Sequence, residues 1–118
     1  MARILVQDDA VTIQLSALDK VWAVHGSLRV PLSDIMQAHV EDEVGWDHFW
    51  RRIMGMNAPG LKMAGTFFID GGLAFLDYGT GRNCLVLDTK HLLYRKIIVE
   101  PDGDAATIAA QINSRLKG

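Results

Sequence analysis

Polar and apolar positions alternate with a period of two over most of this chain, then switch to a helical period near its C-terminus. Ile4, Leu5 and Val6 form a short apolar run that ends in the polar turn Gln7-Asp8-Asp9-Ala10. Val11, Ile13 and Leu15 then alternate with Thr12 and Gln14, the pattern of a half-buried strand. Val21-Trp22-Ala23-Val24, closed by His25-Gly26, reads as another short strand. Leu28, Val30 and Leu32 continue the pattern. Pro31 lies among them and cannot donate to a ladder, which places this strand at an edge or a bulge. Ser33-Asp34 turns the chain into a strand with Met36, Ala38 and Val40 on one face and Gln37, His39 and Glu41 on the other.

The period then disappears, and residues 42–62 are expected to form a long loop with one helical turn inside it. Loops of that length in compact domains are usually functional or mobile. Strand patterning resumes over residues 63–69, and Asp70-Gly71-Gly72 is a strong hairpin signal, because glycine reaches positive φ at no steric cost. Residues 73–78 form the return strand, and Gly79-Thr80-Gly81-Arg82-Asn83 reads as the next hairpin turn. The last two strands cover residues 84–87 and 92–99, joined at Asp88-Thr89-Lys90. Ala105, Ile108, Ala109, Ile112 and Leu116 then form one apolar stripe, predicting a helix over 103–117. Asp102 or Asp104 serves as its N-cap, and Arg115 and Lys117 lie near the negative end of its dipole. The pattern predicts one mainly β domain over residues 1–118, a barrel or sandwich of about seven antiparallel strands with a C-terminal helix.

Composition narrows the function more than the fold. The 118 residues suffice for one core but not for two. A formal net charge of −2, with acids and bases dispersed, leaves no basic stripe to displace counterions, so nucleic acid is not an expected partner. Cys84 is the only cysteine, which rules out an internal disulfide. It lies in the run Cys84-Leu85-Val86-Leu87, where a free thiol behaves as a small core hydrophobe. Acids interrupt the N-terminal segment too early for a signal-peptide core, and no apolar run reaches the roughly 20 residues that span a bilayer. A cytoplasmic location is the expectation.

Three stretches resemble the bacterial pleckstrin-homology-like domains. They are Leu28-Arg29-Val30-Pro31-Leu32-Ser33-Asp34-Ile35, then Pro59-Gly60 followed by Gly65-Thr66-Phe67, and finally Ile98-Val99-Glu100-Pro101-Asp102 before the terminal helix. The resemblance covers most of the chain and implies a small antiparallel barrel plugged by its C-terminal helix. Such barrels bind lipids, peptides or one another, so no single chemistry follows from the architecture. Asp8, Asp9, Lys20 and Arg29 stand where these domains gather cations for a lipid headgroup, a poor cradle for phosphate.

Candidate chemistry is sparse. His25, His39, His48 and Asp42 lack ligand spacing, so no metal or cofactor is expected. Ser27 lies two residues from His25 without a nucleophile elbow around it, and Glu41-Asp42-Glu43 reads as a solvated loop start. Gly79-Thr80-Gly81 is too short for a phosphate loop. No catalytic residue is expected.

The segment Trp46, Phe49, Trp50, Arg51, Arg52, Ile53 and Met54 stands apart. Trp46, Phe49, Trp50 and Ile53 lie at helical spacing, so one amphipathic turn gathers them on a single face beside two arginines. That face either folds back over an open end of the barrel, meets a second protein or another copy of the chain, or rests on an anionic membrane. A non-enzymatic interaction module, self-associating into a homo-oligomer or docking another protein, is the leading expectation. A peripheral membrane binder using the same loop is the alternative.

Overall fold

A computed structural model describes residues 2–16, 27–42, 51–58, 62–69, 72–79, 81–90 and 92–117, and its strands fall into two sheets. β1 (Arg3–Val6), β2 (Ala10–Gln14) and β3 (Leu28–Pro31) form an antiparallel sheet in that order. The Gln7 N–H donates to the Ala10 carbonyl at 2.8 Å and closes the first turn, where the acidic pair leaves the strand. Pro31 lies opposite Ala10 in the edge strand β3, a position where its missing donor costs least. A 3₁₀ turn, Leu32–Asp34, then carries the chain into the second sheet. The strand expected over Val21-Trp22-Ala23-Val24 lies outside the described residues.

The second sheet has six strands: β4 (Ile35–Glu41), β5 (Arg51–Ala58), β6 (Lys62–Ile69), β7 (Gly72–Tyr78), β8 (Cys84–Thr89) and β9 (Tyr94–Val99). Their spatial order is β4-β8-β9-β7-β6-β5. β5, β6 and β7 follow one another as an antiparallel meander, with Ile69 opposite Gly72 at the β6–β7 hairpin.

Three expectations are corrected here. Residues 42–62 are not one loop, because Arg51–Ala58 forms β5, in register with β6 from Arg51 opposite Phe68 to Ala58 opposite Lys62. The strand escaped the period-two reading because its register shifts between Arg52 and Met54, which breaks the alternation at Ile53. Gly79-Thr80-Gly81-Arg82-Asn83 is not a hairpin, because β9 lies between β7 and β8. The link crosses the end of β9, using positive φ at Gly81 (82°) and Asn83 (51°). Finally, the sheet is not wholly antiparallel. β7 and β9 run parallel, with Phe75 opposite Ile97 and Leu76 opposite Ile98.

The apolar runs of the central strands bury both of their faces, as continuous rather than alternating hydrophobicity requires. Phe75, Leu85, Leu87, Ile97 and Val99 point toward β2, β3 and the helix, joining Val11, Ile13 and Val30 in the main core. The intervening side chains Ala74, Leu76, Tyr78, Cys84, Val86 and Ile98 form a second cluster with Met63 and Phe67, each at most 4% exposed. Among the described residues the two sheets share no hydrogen-bonded strand, so these strands do not close into one barrel. The coarser expectation stands: the chain is mainly β with a C-terminal helix.

The helix α1 (Ala105–Lys117) inserts Ala105, Ala109 and Ile112 into the main core. Asp104 caps it, its carboxylate accepting the Thr107 N–H at 3.1 Å and the Thr107 hydroxyl at 2.8 Å. Asn83 reaches across from the β7–β8 link, accepting the Ala105 N–H at 2.9 Å and donating to the Gly103 carbonyl at 2.9 Å. Further along, Asn113 uses its whole amide on the edge strand β4. It accepts the Ala38 N–H at 3.0 Å and donates to the Ala38 carbonyl at 2.8 Å, taking the place of a neighbouring strand.

Candidate interaction surface

Alternation along the strands explains why apolar side chains surface at one end of the six-stranded sheet. Phe67 and Phe68 are adjacent in β6, so they must face opposite ways; Phe67 is buried and Phe68 is 52% exposed. The register shift between Ile35 and Gln37 turns Met36 off the inward face, leaving it 62% exposed where alternation places it with Ala38. Leu93, in the turn between β8 and β9, is 71% exposed.

These three side chains, the exposed large apolar residues among those described, belong to one end of the sheet. There Ile35 lies opposite Thr89, Leu73 opposite both Tyr94 and Phe68, and Phe68 opposite Arg51. From Met36 in β4 to Phe68 in β6 is four strand spacings, about 19 Å at ~4.8 Å per step.

The end is rigidly built. The Tyr94 ring lies 5.7 Å from that of Phe75 at an interplanar angle of 59°, and its hydroxyl is 2.8 Å from Thr66 Oγ1. The Thr89 hydroxyl donates to the Tyr94 carbonyl, tying the two strands of the β8–β9 hairpin together beside Leu93. The Lys90 N–H donates to the Asp34 carbonyl at 2.8 Å and fastens that turn to the 3₁₀ turn before β4. Gly72 completes the end. Its φ is 147°, and a Cβ there would lie 2.7 Å from Arg95 Cγ, so the missing side chain lets the arginine stem lie against the β6–β7 hairpin.

Charge sorts along the sheet. Among the described residues, Lys90 and Arg95 are exposed at the apolar end, while the carboxylates Asp34 and Asp88 are half-buried. Asp88 accepts from Gln37 Nε2 at 2.8 Å and pairs with Lys96 at 3.7 Å; Asp34 is half-buried. Glu41 faces Cys84 at the opposite end, where, among the described residues, Glu41, Asp42, Asp102, Asp104 and the base Arg82 are exposed.

Of the residues singled out in the sequence, Trp46, Phe49 and Trp50 lie outside the described residues. Arg51, Arg52, Ile53 and Met54 belong to β5, so the helical face expected to include Ile53 does not extend to it. Arg51 enters the sheet at its apolar end, opposite Phe68. The sequence reading missed Met36, Phe68, Leu93, Lys90 and Arg95. Two adjacent apolar residues in a strand, Phe67-Phe68, were the available signal for Phe68, because alternation forces one of the pair outward.

The chemistry-bearing side chains are scattered through structural roles. Ser27 Oγ accepts the Leu15 N–H at 3.2 Å. His39 sits on the second face of β4, with Nε2 3.5 Å from Glu41 and Nδ1 3.6 Å from Asp88. Asp42 accepts the Asn83 N–H at 3.1 Å. Arg29 pairs with Asp9 at 2.9 Å, and Asp8 with Arg115 at 3.3 Å. Cys84 is buried, and desolvation, reinforced by the nearby carboxylates Glu100, Asp42 and Glu41, pushes its thiol up to about 12. Among the described residues no cluster of histidine, cysteine and carboxylate side chains has the geometry to hold a metal, and no helix is long and apolar enough to cross a membrane. No protein-family model matches the chain, and no curated protein or solved structure matches it.

Proposed function

We propose that the chain is a cytoplasmic, non-enzymatic interaction module that docks through the Leu93 end of its six-stranded sheet. One observation carries this reading: Met36, Phe68 and Leu93 stand exposed together on an end that Tyr94, Thr89 and Lys90 hold rigid. Exposed apolar side chains gathered on one part of a surface mark interaction sites more often than isolated ones do. The sequence resemblance to bacterial pleckstrin-homology-like domains supports the same reading, since those scaffolds share binding roles rather than a reaction. The segment expected to make the contact, Trp46 to Met54, runs into this end through Arg51, so both lines of reasoning converge on one region of the chain.

The first occupant to test is a second copy. Molar mass by light scattering, over a range of concentrations, is compared for the wild type and Leu93→Asp. An oligomer that the substitution dissociates supports docking between copies through this end. An oligomer that survives it moves self-association elsewhere, and a monomer in both cases removes the second copy as the occupant.

A further inference from the structure

Resting on that reading of the Leu93 end as the docking face, we infer that its partner is the surface of an anionic phospholipid bilayer. The apolar side chains Met36, Leu93 and Phe68 are spread over four strand spacings of the sheet end, about 19 Å at ~4.8 Å per strand. A row of that shape suits shallow insertion at the headgroup boundary. Among the described residues, Lys90 and Arg95 flank it with exposed positive charge, while Asp88 is engaged with Gln37 and Lys96 and Asp34 is half-buried. Of the exposed acids among the described residues, Glu41, Asp42, Asp102 and Asp104 lie at the far end, whereas Asp8 and Asp9 lie on the β1–β2 turn beside Leu32 and are paired with Arg115 and Arg29.

Among the described residues this gives an electrostatic polarity that turns the apolar end toward a negative surface and the acidic end away. A second copy suits the same end less well. Two such ends face to face bring Lys90 and Arg95 of each copy together, and the acidic end offers none of the exposed large apolar side chains among the described residues. Arg95 is held in place by backbone design, its stem lying where a Cβ on Gly72 would otherwise stand. The β1–β2 turn adjoins this end, its Asp9 carbonyl accepting the Leu32 N–H at 2.9 Å, and its charges are paired, Asp9 with Arg29 and Asp8 with Arg115.

Flotation with vesicles tests the inference. Wild-type chain is mixed with vesicles of phosphatidylcholine alone, and with vesicles in which about a third of the lipid is phosphatidylglycerol. Binding to the anionic vesicles only, weakened by 0.5 M salt, is the expected result, since exposed charges are screened within ~4–5 Å at that ionic strength. Leu93→Asp and the double variant Lys90→Glu/Arg95→Glu should each weaken it by roughly tenfold or more. Arg82→Glu at the far end should leave it unchanged, which separates a local site from a general effect of net charge.

Wild-type chain that ignores anionic vesicles overturns the inference, as does binding that both variants retain. Circular dichroism of each variant confirms that the loss is not unfolding. The light-scattering comparison keeps the two readings apart: an oligomer that Leu93→Asp dissociates, with no vesicle binding, leaves the docking end standing with a second copy on it. A monomer that also ignores vesicles overturns the bilayer inference and removes the second copy as the occupant of this end.

Discussion

At the scale of single residues, burial decides which groups have chemistry left to offer. Cys84 has a nucleophilic atom but no surface, and its thiol is pushed from 9.0 up to about 12, chiefly by desolvation. Folding therefore favours the protonated thiol. That contribution is complete below pH 9, where the unfolded thiol is also neutral, and declines as the pH rises toward 12. Two outcomes follow for native protein at pH 8: a thiol reagent leaves Cys84 unmodified, and the same reagent labels it fully in denaturant. Rapid labelling without denaturant would show an accessible thiolate instead. The inert reading of Cys84 was already legible in its apolar neighbours. The roles of Ser27, Asp42 and Asn83 were not, because their partners Leu15, Asn83 and Ala105 are 12, 41 and 22 residues away in the chain.

Among the elements, β4 shows how an edge strand is kept from pairing further. Its inner side pairs with β8, and Asn113 on the helix takes up the N–H and C=O that Ala38 presents outward. Asn113→Ala leaves both half-buried backbone groups without their partner and is expected to destabilise the fold by about 1–3 kcal/mol, measured by urea unfolding. Asn113→Asp keeps the acceptor and loses the donor, so it should fall between the two. A cost below about 0.5 kcal/mol for Asn113→Ala would mean that water replaces the amide freely. Nothing local predicts this contact, since Asn113 reads as one more polar position on an amphipathic helix. The period did place the helix itself, and the acid before it, correctly. It missed β5, because a register shift at Ile53 removes the alternation on which the reading depends.

For the whole molecule, the telling property is a sheet whose central strands are buried on both faces. Leu76 and Leu85 point to opposite sides and are both fully buried. Leu76→Ala and Leu85→Ala should therefore each cost about 2–5 kcal/mol in chemical denaturation, the range for opening a cavity in a packed core. A loss within ~0.5 kcal/mol for Leu76→Ala would show that the second face is solvated. The runs at residues 73–76, 84–87 and 97–99 already carried this information as unbroken hydrophobicity. Their parallel and antiparallel arrangement did not show, because a β-rich run reads the same whichever neighbour it pairs with.

The sequence by itself determined the class of this protein and most of its elements. Side-chain alternation, turn glycines and the terminal apolar stripe are local properties, set by the geometry of strand and helix. The tertiary structure alone decided the crossing from β7 to β8, the parallel pairing of β7 with β9, and the gathering of Met36, Phe68 and Leu93 on one end. Those residues are up to 57 positions apart, from Met36 to Leu93, and only strand order brings them together. Strand order is set by which ladder and which core cost least when all the strands are present, a property of the assembled chain that no local window contains.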